Sequence, residues 1–277
     1  MTTTSAHQNI NTSAPIGIFD SGIGGLTVAH AIKERMPNES LIYFGDTAHL
    51  PYGDKSEAAI QAYSVKIADV LLQAGCKVIV IACNSASSAS YELLKEYVRK
   101  EVEVINVIDP MVNLVKQHFR NKRVALIGTK RTISSGIYAK KLKENGSNVD
   151  LVSMATPLLV PMIEEGFFDN TISHDIIHQY LSDPSLLNIE ALVLGCTHYP
   201  LIKKELGNYY QNKVTILDSS EVVAEAVHNH LNNKSLSSMK QASAHHFLVS
   251  DYTDSFEAST RIFFGEQVHL EKHRLWE

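Results

Sequence analysis

Short apolar runs rich in β-branched residues recur along this chain, and nearly every one leads through a polar, small-residue turn into a longer segment of helical period. The runs are Ile16 to Phe19, Leu41 to Phe44, Val78 to Ala82, Val104 to Val107, Arg123 to Ile127, Val149 to Val152, Ala191 to Leu194, Val214 to Leu217 and His246 to Val249. A strand that is apolar on both faces must be covered on both faces. Chains that alternate such strands with helices do this by winding βαβ units around a mostly parallel sheet. The fold class is therefore α/β. The clearest helix is Glu57 to Ala74, where Ile60, Tyr63, Ile67, Val70, Leu71 and Ala74 share one face. Gly75 follows it, where a helix C-terminus favours glycine.

The chain also repeats itself loosely. Pro15 to Gly25 reads as a strand, a small-residue turn and the start of a helix, and Arg123 to Thr132 opens a second half in the same way. Two similar α/β domains are expected, each a mostly parallel sheet flanked by helices, with the active site in the cleft between them. The first takes residues 15–109 together with 219–277, and the second takes residues 110–218. Asp109-Pro110 and Asp218-Ser219 are the expected crossing points, and the polar stretch Asn232 to Ser235 leads the chain back to the first domain. Residues 1–14, rich in Thr, Ser, Asn and Gln, read as a disordered extension with neither the basic start nor the apolar stretch of a secretion signal.

Composition narrows the function. In 277 residues, 44% are hydrophobic, enough for a sizeable core, and the formal charge of −5 gives no basic footprint for nucleic acid. No apolar run reaches membrane-spanning length, so no membrane partner is expected. Three cysteines suggest no disulfide framework, and a reducing, cytoplasmic setting fits better.

Two of those cysteines occupy matching places. Cys83 ends the run Val78-Ile-Val-Ile-Ala82, and Cys196 ends Ala191-Leu-Val-Leu-Gly195. That place is the carboxyl edge of a parallel strand, where a following helix points backbone N–H groups at a ligand. A thiol there is expected to be exposed and, by the helix dipole, to have a lowered pKa. Two such thiols suit acid/base work from opposite sides of one substrate.

Four ordered motifs then carry a resemblance: Phe19-Asp20-Ser21-Gly22-Ile23-Gly24-Gly25, Pro51-Tyr52-Gly53, Ala82-Cys83-Asn84-Ser85-Ala86-Ser87 and Leu194-Gly195-Cys196-Thr197-His198-Tyr199-Pro200. The set, spanning about Pro15 to Asp218, resembles that of the glutamate racemases of the aspartate/glutamate racemase family. One departure is Ser85, where the family commonly has Thr. The resemblance implies a cofactor-independent isomerase that interconverts L- and D-glutamate for peptidoglycan synthesis. It implies Cys83 and Cys196 as the two bases, Cys83 serving the D-enantiomer and Cys196 the L-enantiomer, with Asp20 and His198 managing their protons. Substrate-binding roles carry over to Asp20, Ser21, Tyr52, Gly53, Asn84, Ser85, Thr197 and His198, and less directly to Thr129 and to Glu164 as a partner of His198. It further implies a homodimer, with a cell-wall nucleotide precursor as an activator of some relatives.

Plainer readings stand beside these. Either cysteine alone is an ordinary small core residue, and Cys76, without such a context, is read as packing. Gly22 to Gly25 is a candidate phosphate turn, although its spacing is not the dinucleotide fingerprint. Asp20 is also a helix cap by position, and His198 a surface histidine by spacing. A zinc site from Cys83, Cys196 and His198 has too few ligands at too tight a spacing, and no metal is expected. Aspartate racemisation and a non-catalytic amino-acid or nucleotide binder remain as alternatives.

Overall fold

A computed structural model describes residues 11–98, 102–144 and 146–276. The disorder expected for residues 1–14 lies, over residues 1–10, outside the described residues. In chain order the elements are β1 (Ile16–Asp20), α1 (Leu26–Arg35), β2 (Leu41–Gly45), α2 (Glu57–Gln73), β3 (Val78–Ile81), α3 (Asn84–Tyr97), β4 (Glu103–Asn106), α4 (Ile108–His118) and β5 (Arg123–Gly128). There follow α5 (Lys130–Ser134), α6 (Ile137–Glu144), β6 (Asp150–Ala155), α7 (Leu159–Glu164), α8 (Thr171–Leu181), β7 (Ala191–Gly195) and α9 (Lys203–Tyr209). The last are β8 (Thr215–Asp218), α10 (Ser219–Asn233), β9 (His246–Val249), α11 (Asp254–Phe264) and β10 (Glu271–Lys272).

The strands form two sheets, one in the order β10-β9-β2-β1-β3-β4 and one in the order β6-β5-β7-β8. Every pairing within them is parallel. The run β2-β1-β3-β4 and the run β6-β5-β7-β8 have the same winding, so the repetition in the sequence is a repetition of topology. In each, the connection reverses direction beside the first strand. Ligands of open α/β sheets bind outside the carboxyl ends at that reversal, here between β1 and β3 in one sheet and between β5 and β7 in the other.

The core follows from the apolar runs. All four residues of β3 and all five of β1 and of β7 are buried, and each large aliphatic among them stabilises the fold by roughly 1.5–3 kcal/mol. Helix α2 starts at Ser56, whose Oγ accepts the Ala59 N–H at 3.3 Å. It stops one residue short of the expected end, and Gly75 takes a φ of +74° there, a left-handed conformation natural to glycine. The nine expected strands are all present, His246–Val249 with the expected ends and the others shifted at one end or both, and β10 is an addition. Among the described residues, no helix is long and apolar enough to cross a membrane.

The segment between α10 and β9 is pinned by a buried ion pair. Lys77 Nζ reaches Glu39 Oε2 at 2.5 Å, the Thr12 carbonyl at 2.6 Å and the Leu236 carbonyl at 2.8 Å. Glu39 Oε1 accepts the Ser238 N–H at 2.8 Å. All three ammonium donors are used, as a buried charge requires.

Candidate active site

A cavity of about 230 Å³ opens between the carboxyl ends of the two sheets. It is lined by Ser21 and Gly22 after β1, Cys83 to Ser85 after β3, Thr129 and Lys130 after β5, and Cys196 to His198 after β7. The Leu50-to-Asp54 turn, the Thr156-Pro157 turn after β6 and the face of α7 that carries Val160, Pro161 and Glu164 also contribute to the wall. Pockets for drug-sized ligands usually run about 300–1,000 Å³, so this one suits a smaller molecule. Both cysteines lie on this single cavity, each 6% exposed.

Cys83 is the N-cap of α3, and its Sγ accepts the Ala86 N–H at 3.4 Å. The Sγ also lies 3.7 Å from Ser21 Oγ, which is itself 3.5 Å from Asp20 Oδ1. The expected exposed thiol of lowered pKa is corrected here. Burial pushes the Cys83 thiol up to about 12, with the nearby Asp20 charge adding to it; the Ala86 N–H and Ser21 hydroxyl oppose the rise. One N–H at a helix end does not outweigh removal from water.

Cys196 is held differently. No long helix starts behind it; a 3₁₀ turn, Tyr199–Ile202, precedes α9. Its Sγ lies 3.7 Å from His198 Nδ1, and His198 Nε2 lies 3.0 Å from Glu164 Oε1. Burial disfavours a charge on this imidazole, but the bonds to Cys196 and Glu164 and their negative charges prevail and raise its pKa to about 10. His198 also meets the edge of Phe263, ring centroids 5.1 Å apart. On another side it meets Gly24, where a Cβ would run into the imidazole and stand 2.8 Å from Thr197 Oγ1. Within the Gly22 to Gly25 turn, Gly24 is thus packed against the opposite half and Gly25 against Asp20 and Ala82 of its own, which leaves Gly22 as the glycine of the turn on the cavity wall.

Asp20 is 1% exposed and does not itself line the cavity. Its Oδ1 accepts the Gly22 N–H at 2.9 Å and its Oδ2 the Thr197 hydroxyl at 3.3 Å, across the two halves. Burial raises its pKa, against the opposing His198 charge and these hydrogen bonds. Ser85 makes the counterpart bridge, its Oγ 2.9 Å from Thr129 Oγ1. Asn84 Oδ1 accepts the Tyr138 hydroxyl at 2.8 Å, while the buried Asn84 Nδ2 has no protein partner. Tyr52 turns its hydroxyl to Asp46 Oδ2 at 2.6 Å, which leaves the N–H groups that open its 3₁₀ turn as the donors free of helical bonding.

Among the described residues, no three His, Cys, Asp or Glu side chains converge as metal ligands would. The wall also holds no arginine. A profile of the Asp/Glu/Hydantoin racemase family matches residues 26–227.

The chain belongs to this racemase family.

A glutamate racemase of Geobacter metallireducens is 41% identical over 251 residues, covering 90% of this chain and 92% of that protein. One of Chlorobium phaeobacteroides is 40% identical, covering 93% of this chain and 94% of that protein. The crystal structure of glutamate racemase from Francisella tularensis in complex with D-glutamate is 36% identical. It covers 95% of this chain and 98% of that one, with a TM-score of 0.89.

Behind the cavity wall stand groups that sequence reasoning passed over. Asp46 directly follows β2, much as Asp20 ends β1, and accepts the Ser250 hydroxyl at 2.7 Å besides that of Tyr52; its place beside a strand end was a usable signal. Tyr138 and Phe263 carry none, being buried residues of ordinary amphipathic helices, one near the start of α6 and the other near the end of α11.

Proposed function

We propose that this protein is a cofactor-independent glutamate racemase that supplies D-glutamate for peptidoglycan, with Cys83 and Cys196 as its two bases. One observation carries the reading: two sulfurs reach one cavity from equivalent strand ends of two similar sheets. Inverting a stereocentre means removing the α-proton on one face and returning a proton on the other. A pair of groups on opposite walls does this without moving.

From L-glutamate, the Cα–H bond breaks with its electron pair left on Cα and spread into the α-carboxylate, and the proton passes to the Cys196 thiolate. The Cys83 S–H bond then breaks, its electrons stay on sulfur, and Cα takes that proton on the other face. Reversal converts D- to L-glutamate. A Cys83 thiol pushed to about 12 is ready to donate, and a His198 imidazolium persisting to about 10 offers positive charge beside Cys196. Ser21 links Asp20 to Cys83. Positioned acid/base groups are worth about 10² to 10⁴ in rate. Each preorganised donor to the developing carboxylate charge adds about 10² to 10³.

The substrate is anionic overall, and besides the cations Lys130 and His198 the wall offers neutral donors: the free Asn84 amide, the Ser21, Ser85 and Thr197 hydroxyls, and the N–H groups at Tyr52-Gly53. Close relatives named glutamate racemases support glutamate over aspartate. The test is circular dichroism and mass spectrometry of L-glutamate and L-aspartate incubated with the protein in deuterium oxide. Loss of optical signal with one deuterium gained at Cα of glutamate is expected. Exchange of aspartate alone would make this an aspartate racemase, and binding without exchange would make it a binder.

A further inference from the structure

We propose that Tyr138, on α6 of the second half, is a positioning residue that fixes the Asn84 side-chain amide of the first half with its N–H pair turned into the cavity. This rests on the racemase reading and adds to it the device that orients one substrate donor.

Asparagine can present either its carbonyl oxygen or its amine to a ligand, and only the surrounding bonds decide which. Here the deciding bond is the Tyr138 hydroxyl donating to Asn84 Oδ1 at 2.8 Å. Both side chains are 2% exposed, so water does not compete for either. With Oδ1 occupied, the buried Nδ2 is left without a protein acceptor at a residue of the cavity wall. A buried donor that the protein leaves unmet is matched to an acceptor on a ligand. A carboxylate is such an acceptor. With the amide reversed, a carbonyl oxygen would meet the carboxylate instead, and the two would repel.

The bond also spans the halves. Asn84 starts α3, behind β3, whereas Tyr138 sits behind β5. The donor is therefore set only when the two sheets are in register across the cleft, which ties recognition of the carboxylate to assembly of the two-thiol site.

The test is steady-state kinetics with L-glutamate, after racemisation by the unaltered protein has been established. Absence of that activity would sink the racemase reading itself, whereas the variants address Tyr138 alone. Tyr138→Phe keeps the ring and deletes the hydroxyl. It is expected to raise KM about 5- to 10-fold, the worth of one net hydrogen bond, with kcat within about 2-fold. In an Asn84→Ala background the same change is expected to shift KM by less than about 2-fold, since the two act as one unit. A fully additive effect on KM, or a fall in kcat with KM unchanged, overturns the proposal. Asn84→Asp supplies a check that holds even if Tyr138→Phe does not fold. It keeps an acceptor for Tyr138 but turns an oxygen to the cavity, and is expected to raise KM further than Asn84→Ala does. An equal or smaller rise overturns the proposal.

Discussion

The Cys83 half and the Cys196 half share strand order, strand position and cavity, yet they treat their sulfurs in opposite ways. Cys83 caps a long helix and is bordered by a hydroxyl and a carboxylate. Removal from water and the Asp20 charge keep it a thiol. Cys196 precedes a short 3₁₀ turn and is bordered by an imidazole that itself leans on Glu164. In the proposed mechanism the repeated topology supplies the symmetry, while the side chains gathered around each sulfur differ, Ser21 and Asp20 at Cys83 against His198 and Glu164 at Cys196.

The severest way to break this comparison is to remove either sulfur. Cys83→Ala and Cys196→Ala are each expected to lower racemisation of both enantiomers by at least about 10⁴-fold, the upper range for a positioned acid/base group, with far-UV circular dichroism unchanged. Each variant retains one base. Single-face α-proton exchange in deuterium oxide is therefore the readout that separates a lost partner from a lost fold. Full activity in either would remove that thiol from the mechanism.

Next in size is Gly24→Ala. The added methyl collides with the His198 ring and turns the imidazole away from Cys196 without touching either sulfur. A displacement near 1 Å at a reacting group costs on the order of 10²-fold, and a loss of that order in kcat/KM is expected. Wild-type kinetics would show that His198 has room to move and that the packing of the two halves does not set its position.

A smaller effect separates the halves by pH. With His198 charged up to about 10, kcat/KM for L-glutamate should fall as pH rises through that value, because the cavity then loses a buried cation facing an anionic substrate. Glu164→Gln removes one of the causes that raise this pKa, so the alkaline limb is expected to move to lower pH with the plateau reduced less than about 10-fold. An unmoved limb would assign the titration to another group. The same proton is linked to folding. The unfolded chain releases it near ~6.5 and the folded chain near about 10. Its contribution to stability is complete below the lower value and is lost as pH rises through the upper one.

What the sequence disclosed follows from the range of the forces involved. Runs such as Val78 to Ile81 declare themselves because burial on both faces demands apolar residues throughout. The two exposed, charged residues of β10 become a strand only by pairing with β9, and nothing local marks them. Cys83, Cys196 and His198 were legible because a strand end fixes where they point. The pKa of Cys83 was misjudged because burial, the larger effect, depends on tertiary packing that the local strand-turn-helix pattern does not record. The bonds of Asp20 to Thr197 and of Tyr138 to Asn84 join residues far apart in the chain; local periodicity carries no record of how the two sheets face each other.

The third cysteine sharpens the comparison by doing nothing. Cys76 is as buried as the other two, and removal from water pushes its thiol up to about 12, as it does for Cys83. It sits before β3 rather than after it, at the opposite end of the strand from the cavity, beside Gly17 and Leu71. If burial and a high pKa made a catalytic thiol, Cys76 would qualify; if placement at the carboxyl edge does, it cannot. Cys76→Ala is expected to leave kcat and KM within about 2-fold of wild type and to lower stability by about 1 kcal/mol for the small void it leaves. A loss of racemisation comparable with that of Cys83→Ala would show that position along the strand is not what distinguishes these sulfurs.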